Sequence, residues 1–281
     1  ACRRVRRVPT GTSGTPGTRK EVTLVFFHLR KDGQRSARSS YPAYLAYLAY
    51  LSYPAYRQAH FRRTIFADVS SYPRRIVCLT EETTETLYLI GAGDRVVGVS
   101  GYTVRPPEAR GKPRVSAFIK ARFDKILALE PDLVLAFSDL QADIAAELIR
   151  RGCAVVTFNQ RSIAEILQMI RMLGGLVGLA DRAEPLAARL EAGLTAIRES
   201  AARFPRRPRV FFEEWDDPLI SGIRWVDELI EIAGGDTLFP EHRAAALAKD
   251  RIVSPDRVRD AAPDTIVASW CGKKVNKSRI A

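Results

Sequence analysis

Short apolar runs alternate with amphipathic segments along the chain from about residue 72 onward. The apolar runs are residues 75–79, 95–99, 133–136, 153–158 and 209–212. They are rich in Val, Ile, Leu and Phe, as expected of strands that are buried on both faces. Between them, apolar side chains recur at helical spacing, as in Leu140, Ile144 and Leu148. Strands alternating with helices in this way predict an α/β fold with parallel sheets.

One helix, turn and strand pattern occurs twice, about 130 residues apart. Residues 124–136 and 256–268 each begin with an acid, a base and a β-branched residue, and each has Pro-Asp at the same distance before an apolar run. The two acids, Asp124 and Asp256, lie at the start of a short predicted helix, where a carboxylate can accept hydrogen bonds from free backbone N–H groups. A unit repeated at this distance indicates two similar lobes rather than a short-period solenoid.

A long amphipathic segment separates the two copies of this repeat. Residues 181–184 have the spacing of a capping box, and Leu186, Leu190 and Leu194 continue one apolar stripe. About 23 helical residues give a rod of roughly 35 Å, which permits little hinge opening between the lobes. The expected domains are an N-terminal lobe at 71–178, a connecting helix at 179–205 and a C-terminal lobe at 206–281.

Residues 1–70 differ from the rest in composition and charge. Tyr recurs at every third position from Tyr41 to Tyr56, a period that fits neither a helix nor a strand, so we expect a disordered low-complexity leader. The leader holds 13 basic and 3 acidic residues, which leaves a surplus of only 2 positive charges in residues 71–281. The formal charge of +12 therefore belongs mainly to the leader and does not predict a nucleic-acid partner. The apolar run at residues 24–27 is too short for a signal peptide.

The residue types that carry chemistry argue against several functions. Four cysteines are scattered without a CxxC pair, and His242 is the single histidine outside the leader, so no metal site is predicted. Gly91, Gly93 and Gly98 lack the spacing of a dinucleotide-binding loop, and no Walker loop, GxSxG or HExxH occurs. We therefore predict no catalytic residues. No apolar run reaches the length of about 18 residues that a membrane span requires.

Several short motifs carry a resemblance to a known family. They are residues 76–91, Val-Gly-Val-Ser-Gly-Tyr at 97–102, Arg-Val-Ser at 114–116, both copies of the repeat, and Leu-Ile-Glu-Ile-Ala-Gly-Gly at 229–235. Together they resemble the substrate-binding proteins of ABC importers for cobalamin, iron siderophores and haem, and the vitamin B12-binding branch most of all. The resemblance implies two Rossmann-like lobes with parallel sheets joined by one long helix. The family's chains continue past the position of Ala281, so the C-terminal lobe is expected to be incomplete.

The resemblance also implies where a ligand and a transporter would bind. Aromatic side chains surround the corrinoid in this branch, and the matching positions are Tyr102, Phe118 and Phe137. Glu82, Glu213 and Trp215 follow the first strands of the two lobes and would face each other across a cleft. Core packing and solvated turns are the alternative roles of these six residues. Acids at the positions of Asp124 and Asp256 dock the importer's permease subunits in the family.

The expected function is therefore capture of cobalamin or a related corrinoid by a monomeric binding protein with no cofactor of its own. It would deliver this ligand to ABC permease subunits, at the periplasmic or outer face of the cytoplasmic membrane. Three alternatives remain at this point: an iron-siderophore or haem receptor, an enzyme that handles a corrinoid or tetrapyrrole, and a nucleic-acid binder that uses the basic leader.

Overall fold

The computed structural model describes residues 72–270 and 273–280, so the expectation of a disordered leader lies outside the described residues. The helices are α1 (Glu81–Leu89), α2 (Phe123–Leu127), α3 (Ala142–Arg150), α4 (Ile163–Leu176), α5 (Ala180–Ala201), α6 (Arg224–Ile232) and α7 (Pro255–Asp260). The strands are β1 (Ile76–Cys78), β2 (Val96–Ser100), β3 (Arg114–Ala117), β4 (Lys120–Ala121), β5 (Leu133–Phe137), β6 (Val155–Phe158), β7 (Arg209–Asp216), β8 (Leu219–Ser221), β9 (Asp236–Thr237) and β10 (Thr265–Ala268). In this part of the chain, no helix has both the length and the apolar character needed to cross a membrane.

The first lobe is a six-stranded sheet in the order β4-β3-β2-β1-β5-β6, covered by helices on both faces. All neighbouring pairs are parallel except β3 and β4. Ile76 and Cys78 of β1 point into a core with α1, α4 and α5, whereas Val77 points into a second core with α2 and α3. All three side chains are fully buried, because the strand alternates between two covered faces.

The connecting helix α5 runs for 22 residues and packs along α4. The two helices approach closely at Gly174, where an added Cβ would lie 2.2 Å from the Cβ of Ala183. A side chain at Gly174 would therefore force the helices apart. The observed helix, Ala180–Ala201, agrees with the predicted long connecting helix. The predicted domain boundaries at residues 178 and 205 stay a prediction.

The second lobe is built around the long strand β7. It pairs with β10 and β9 in parallel and with β8 in antiparallel fashion. Phe211 is fully buried here and meets Phe239 edge-on, with ring centroids 5.9 Å apart. The two lobes with their joining helix confirm the predicted α/β fold class. The expectation that this lobe is incomplete stays a prediction.

Both copies of the repeat fold as a helix, a turn and a strand, namely α2 with β5 and α7 with β10. In each copy the Pro-Asp aspartate fixes the start of the neighbouring first strand. Asp132 accepts from the backbone N–H groups of Arg74 and Arg75 at 2.7 and 2.9 Å, and Asp264 accepts from that of Arg209 at 2.7 Å. The repeat is therefore a strand-anchoring unit used once in each lobe.

The acids at the start of the two repeat helices do not cap them, contrary to expectation. The position before α2 is Arg122, which makes no capping hydrogen bond, and α7 is capped by Ser254, whose hydroxyl accepts from the N–H of Arg257. Neither Asp124 nor Asp256 accepts from a backbone N–H of its own helix. Each lies inside the first turn, where the Asp124 side chain points to solvent near Arg151 and Asp256 accepts from the side chain of Arg259 within α7.

Candidate functional site

A cavity of about 660 Å³ lies between the two lobes, a size typical of small-molecule sites. Its first wall comes from the N-terminal lobe and consists of Phe118, Phe137, Leu140, Gln160 and Arg161. Its second wall consists of Phe212, Glu214, Trp215, Pro218, Ile220, Ile223, Trp225, Val226, Ala246, Ala248, Arg251 and Ser269. The first wall lies at the carboxyl ends of β5 and β6, where open α/β sheets bind their ligands.

Two aromatic residues of the first wall are held by one buried amide. Gln141 is fully buried, accepts from the backbone N–H of Phe137 at 3.0 Å and donates to the carbonyl of Phe118 at 2.7 Å. The Arg161 guanidinium lies 5.0 Å from the centre of the Phe137 ring and pairs with Asp139 at 3.2 Å. The first wall therefore presents two fixed rings beside a cation whose charge is already matched.

The second wall contains an ion pair between Arg251 and Glu214. The guanidinium makes two contacts with the carboxylate, at 2.5 and 3.1 Å, and also donates to the carbonyl of Ser221. The Arg251 side chain is 3% exposed and that of Glu214 is 25% exposed, so the carboxylate is the partner closer to the cavity. The charge of Arg251, the one arginine that lines this wall, is therefore matched by Glu214.

Strand alternation and a bulge decide which residues of β7 reach the cavity. Phe212 and Glu214 face it, whereas Phe211 and Glu213 on the opposite face are fully buried. The pairing of β7 with β8 shifts register between Glu213 and Trp215. Two consecutive residues, Glu214 and Trp215, therefore both line the cavity.

The structure brings together three of the six predicted ligand-binding residues. Phe118 and Phe137 lie on the first wall and Trp215 lies on the second. Tyr102 follows the end of β2, where it is 55% exposed and outside the cavity lining. Its role in binding stays a prediction.

The two predicted glutamates lie behind the walls rather than on them. Glu82 accepts from Thr80 at 2.8 Å and from Gln160, a wall residue, at 3.5 Å. Burial raises the pKa of the Glu82 carboxyl above its usual range. Glu213 accepts from the indole N–H of Trp270 at 2.8 Å in the interior of the second lobe. Both carboxylates therefore support neighbouring groups instead of facing the cavity.

The two predicted docking residues are exposed on the surface. The Asp124 side chain is fully exposed, with Oδ1 3.7 Å from a nitrogen of Arg151, and the Asp256 side chain is 78% exposed and paired with Arg259. Neither contributes to the cavity lining. Their placement leaves both carboxylates accessible to another protein.

Sequence reasoning missed Gln141, Arg161 and Arg251 as parts of the site. Arg251 comes from a segment without helical or strand periodicity, so no local pattern marked it. Glu214 is adjacent in sequence to the predicted Glu213, and period-2 alternation places the two side chains on opposite faces of the strand. The side that faces the cleft depends on how the sheet packs.

The described residues contain no group of three or more His, Cys, Asp or Glu side chains that could hold a metal ion. Cys78 is a free thiol inside the first core, where burial raises its pKa to about 12. A thiol in that state remains protonated at neutral pH and does not act as a nucleophile or metal ligand.

The chain is similar in sequence to bacterial transport proteins. An uncharacterized ABC transporter substrate-binding lipoprotein of Bacillus subtilis is 31% identical over 156 residues, which are 53% of this chain and 49% of that protein. The chain thus spans about half the length of this relative. A vitamin B12-binding protein of Yersinia pseudotuberculosis is 27% identical over 205 residues, covering 72% of this chain and 71% of the relative.

Solved structures of similar architecture include two ligand-binding proteins. The periplasmic vitamin B12-binding protein of Vibrio cholerae aligns with a TM-score of 0.59 and 26% identity, over 70% of this chain and 76% of that one. A periplasmic haem-binding protein from Roseiflexus in its apo form aligns with a TM-score of 0.60 and 28% identity, over 69% and 76%. The family model described as periplasmic binding protein matches residues 76–281, a span that contains both lobes, the joining helix and the cavity. The chain belongs to the periplasmic binding protein family, as its motifs predicted.

Proposed function

We propose that the chain is the substrate-binding component of an ABC importer and that its ligand is cobalamin or a related corrinoid. The observation that carries the proposal is a cleft with aromatic side chains on both walls and arginines whose charges are matched within each wall. Family membership and the named relatives support the importer role. Membership also favours a binding protein over an enzyme acting on a tetrapyrrole and supports an extracytoplasmic location.

The aromatic walls support a broad ring-shaped ligand. Phe118 and Phe137 face Phe212, Trp215 and Trp225 across the cavity. Aromatic faces bury large apolar areas at low entropic cost because their side chains have few rotatable bonds. A flat macrocycle placed between such walls would contact rings on both of its faces.

The charge distribution supports a ligand without strong negative charge. Arg161 is paired with Asp139 through one contact and Arg251 with Glu214 through two, so each guanidinium already has a carboxylate partner. Haem carries two propionates and ferric catecholate siderophores are strongly anionic, so a site built for either of them is expected to offer unpaired cations. A corrinoid with neutral amide side chains meets this cleft without that requirement.

The chemistry of the lining residues also favours a ligand whose metal is already coordinated. Haem iron in proteins takes an axial ligand from His, Cys, Met or Tyr. None of these residue types is among the described residues that line the cavity, and Tyr102 would have to reach the iron from the exposed rim outside that lining. Cobalt in a corrinoid carries its own axial groups, so the protein has only to surround it.

Haem is the second candidate ligand, because a haem-binding protein shares 28% identity and the same architecture.

Within the proposed site, Phe118, Phe137 and Trp215 would contact the ligand directly and Tyr102 would contact it at the exposed rim. Glu82 and Glu213 would act by supporting Gln160 and Trp270. The proposed permease contacts are Asp124 and Asp256, and the proposed assembly state before docking is a monomer.

Calorimetric titration of the whole chain tests the ligand assignment. The expected result is saturable binding of cyanocobalamin and dicyanocobinamide, with much weaker binding of hemin and ferric enterobactin. Tight binding of hemin alone would replace cobalamin by haem as the ligand. Chemical conversion of any of the four compounds without a transporter would instead support an enzyme.

A further inference from the structure

Glu228 of α6 reaches from the second lobe to the first. Its Oε2 atom accepts a hydrogen bond of 2.7 Å from the backbone N–H of Ile163, the first residue of α4. Its Oε1 atom accepts from Arg224, one turn earlier in α6, at 2.9 Å. This carboxylate therefore links the two lobes directly, in addition to the covalent link through α5.

The start of α4 is a suitable place for such a link. The first N–H groups of a helix lack partners within the helix and carry positive partial charge. Glu165 already accepts from the N–H groups of Arg161 and Ser162, and Ser162 accepts from that of Glu165. The N–H of Ile163 is left for Glu228, so the second lobe completes the cap of a helix in the first lobe.

The hydrogen bond lies between two cavities. Arg161 and Val226 line the cleft on one side, whereas Ile163 and Glu228 line a second cavity of about 790 Å³ bounded by α4, α5 and α6. Cavities on both sides leave little side-chain packing to hold α4 and α6 at a fixed spacing here. The charge-assisted hydrogen bond between Glu228 and Ile163 then provides a large share of the contact between α4 and α6.

We propose that Glu228 is a positioning residue that sets the separation of the two cleft walls. The helix that carries Glu228 also places Trp225 and Val226 in the second wall. Its hydrogen-bond partner Ile163 begins α4 two residues after Arg161, which lies in the first wall. Loss of the link allows the walls to separate and weakens ligand binding, although Glu228 is outside the cleft lining. The effect on affinity rests on the proposed function, whereas the effect on the link does not.

Hydrogen exchange of the ligand-free whole chain, followed by mass spectrometry, tests the link without any ligand. Glu228→Ala removes the acceptor, and we expect amide exchange to become about tenfold faster or more at residues 161–165 and also at residues 223–226 of the facing wall. Glu228→Gln keeps a side-chain oxygen for the Ile163 N–H but loses the charge, so its exchange should lie between that of Glu228→Ala and that of the unchanged protein. Glu231→Ala is the matched control. Glu231 also lines the second cavity, but it pairs with Arg243 inside its own lobe.

Calorimetry with cyanocobalamin gives the second measurement. We expect about tenfold weaker binding by Glu228→Ala, a smaller loss by Glu228→Gln, and binding within twofold of the unchanged protein by Glu231→Ala. Unchanged exchange in Glu228→Ala, or faster exchange only at residues 161–165, would reduce Glu228 to a helix cap and overturn the proposal. Equal weakening by Glu228→Gln would do the same. If the unchanged protein fails to bind cyanocobalamin, the proposed ligand is wrong, and the exchange result at both walls still decides the role of Glu228.

Discussion

Arg251 and Glu214 form a two-point ion pair in the cleft wall, with the arginine almost completely buried and the glutamate facing the cavity. Taking an arginine out of water is costly unless a carboxylate offsets its charge. The pair therefore fixes the second wall and at the same time matches the charge of Arg251 where it borders the cleft.

Glu214→Gln leaves Arg251 as an unmatched buried cation. We expect the free energy of unfolding to fall by about 3 kcal/mol, within the range for breaking a buried pair. Urea denaturation measures this change. Glu199→Gln on the exposed face of α5 is the control and should change stability by less than about 0.5 kcal/mol.

The same substitution should alter ligand preference, because it leaves a free guanidinium next to the cavity. We expect Glu214→Gln to bind hemin more tightly relative to cyanocobalamin than the unchanged protein does, by about tenfold in the ratio of dissociation constants. Parallel calorimetric titrations give this ratio. An unchanged ratio would mean that Arg251 is too deep to reach a ligand.

The aromatic walls can be tested by truncating one ring at a time. Phe137→Leu and Trp215→Leu should each weaken cyanocobalamin binding by about 10- to 100-fold, as is common for central aromatic contacts. Tyr102→Leu should have a much smaller effect, because Tyr102 lies outside the cavity lining. If Tyr102→Leu loses as much cyanocobalamin affinity as Trp215→Leu does, the binding site extends to the exposed end of β2.

Transport assays test the docking role of the exposed aspartates. Asp124→Ala combined with Asp256→Ala should leave cyanocobalamin affinity unchanged but lower uptake by a reconstituted importer and reduce the salt dependence of docking. The control is Asp143→Ala with Asp260→Ala, which removes two exposed acids from α3 and α7. Equal loss of uptake in both double variants would reflect net charge rather than specific docking.

The pKa of Glu82 predicts a pH dependence of stability. Burial raises this pKa in the folded protein, so the folded state binds a proton more readily than the unfolded state. The resulting stabilisation is fully present below the usual glutamate value of about 4.5 and is lost as pH rises through the folded value. Glu82→Gln should therefore gain stability relative to the unchanged protein as pH rises from 4.5 to 7.5. Urea denaturation at three pH values measures the difference, which should stay constant if Glu82 does not titrate.

The sequence by itself determined the helices and strands whose burial follows one regular pattern from end to end. The apolar runs at β1 and β5 become buried strands because both faces are covered, and the stripe at Leu186 predicts α5 because an amphipathic helix needs only local spacing. The repeated Pro-Asp predicted two similar lobes, and both copies do fold alike. Short strands such as β4 and β9 carried too few residues for any periodicity.

The tertiary structure decided which side chains form the cleft. Period-2 alternation places Glu213 and Glu214 on opposite faces, but only the packing of Trp270 against Glu213 shows which face is interior. Arg251 meets Glu214 from 37 residues away and Glu228 meets Ile163 from 65 residues away, across two lobes. Contacts of this range leave no periodic signal in the chain, because the spacing of the partners depends on how whole elements pack and not on local backbone geometry.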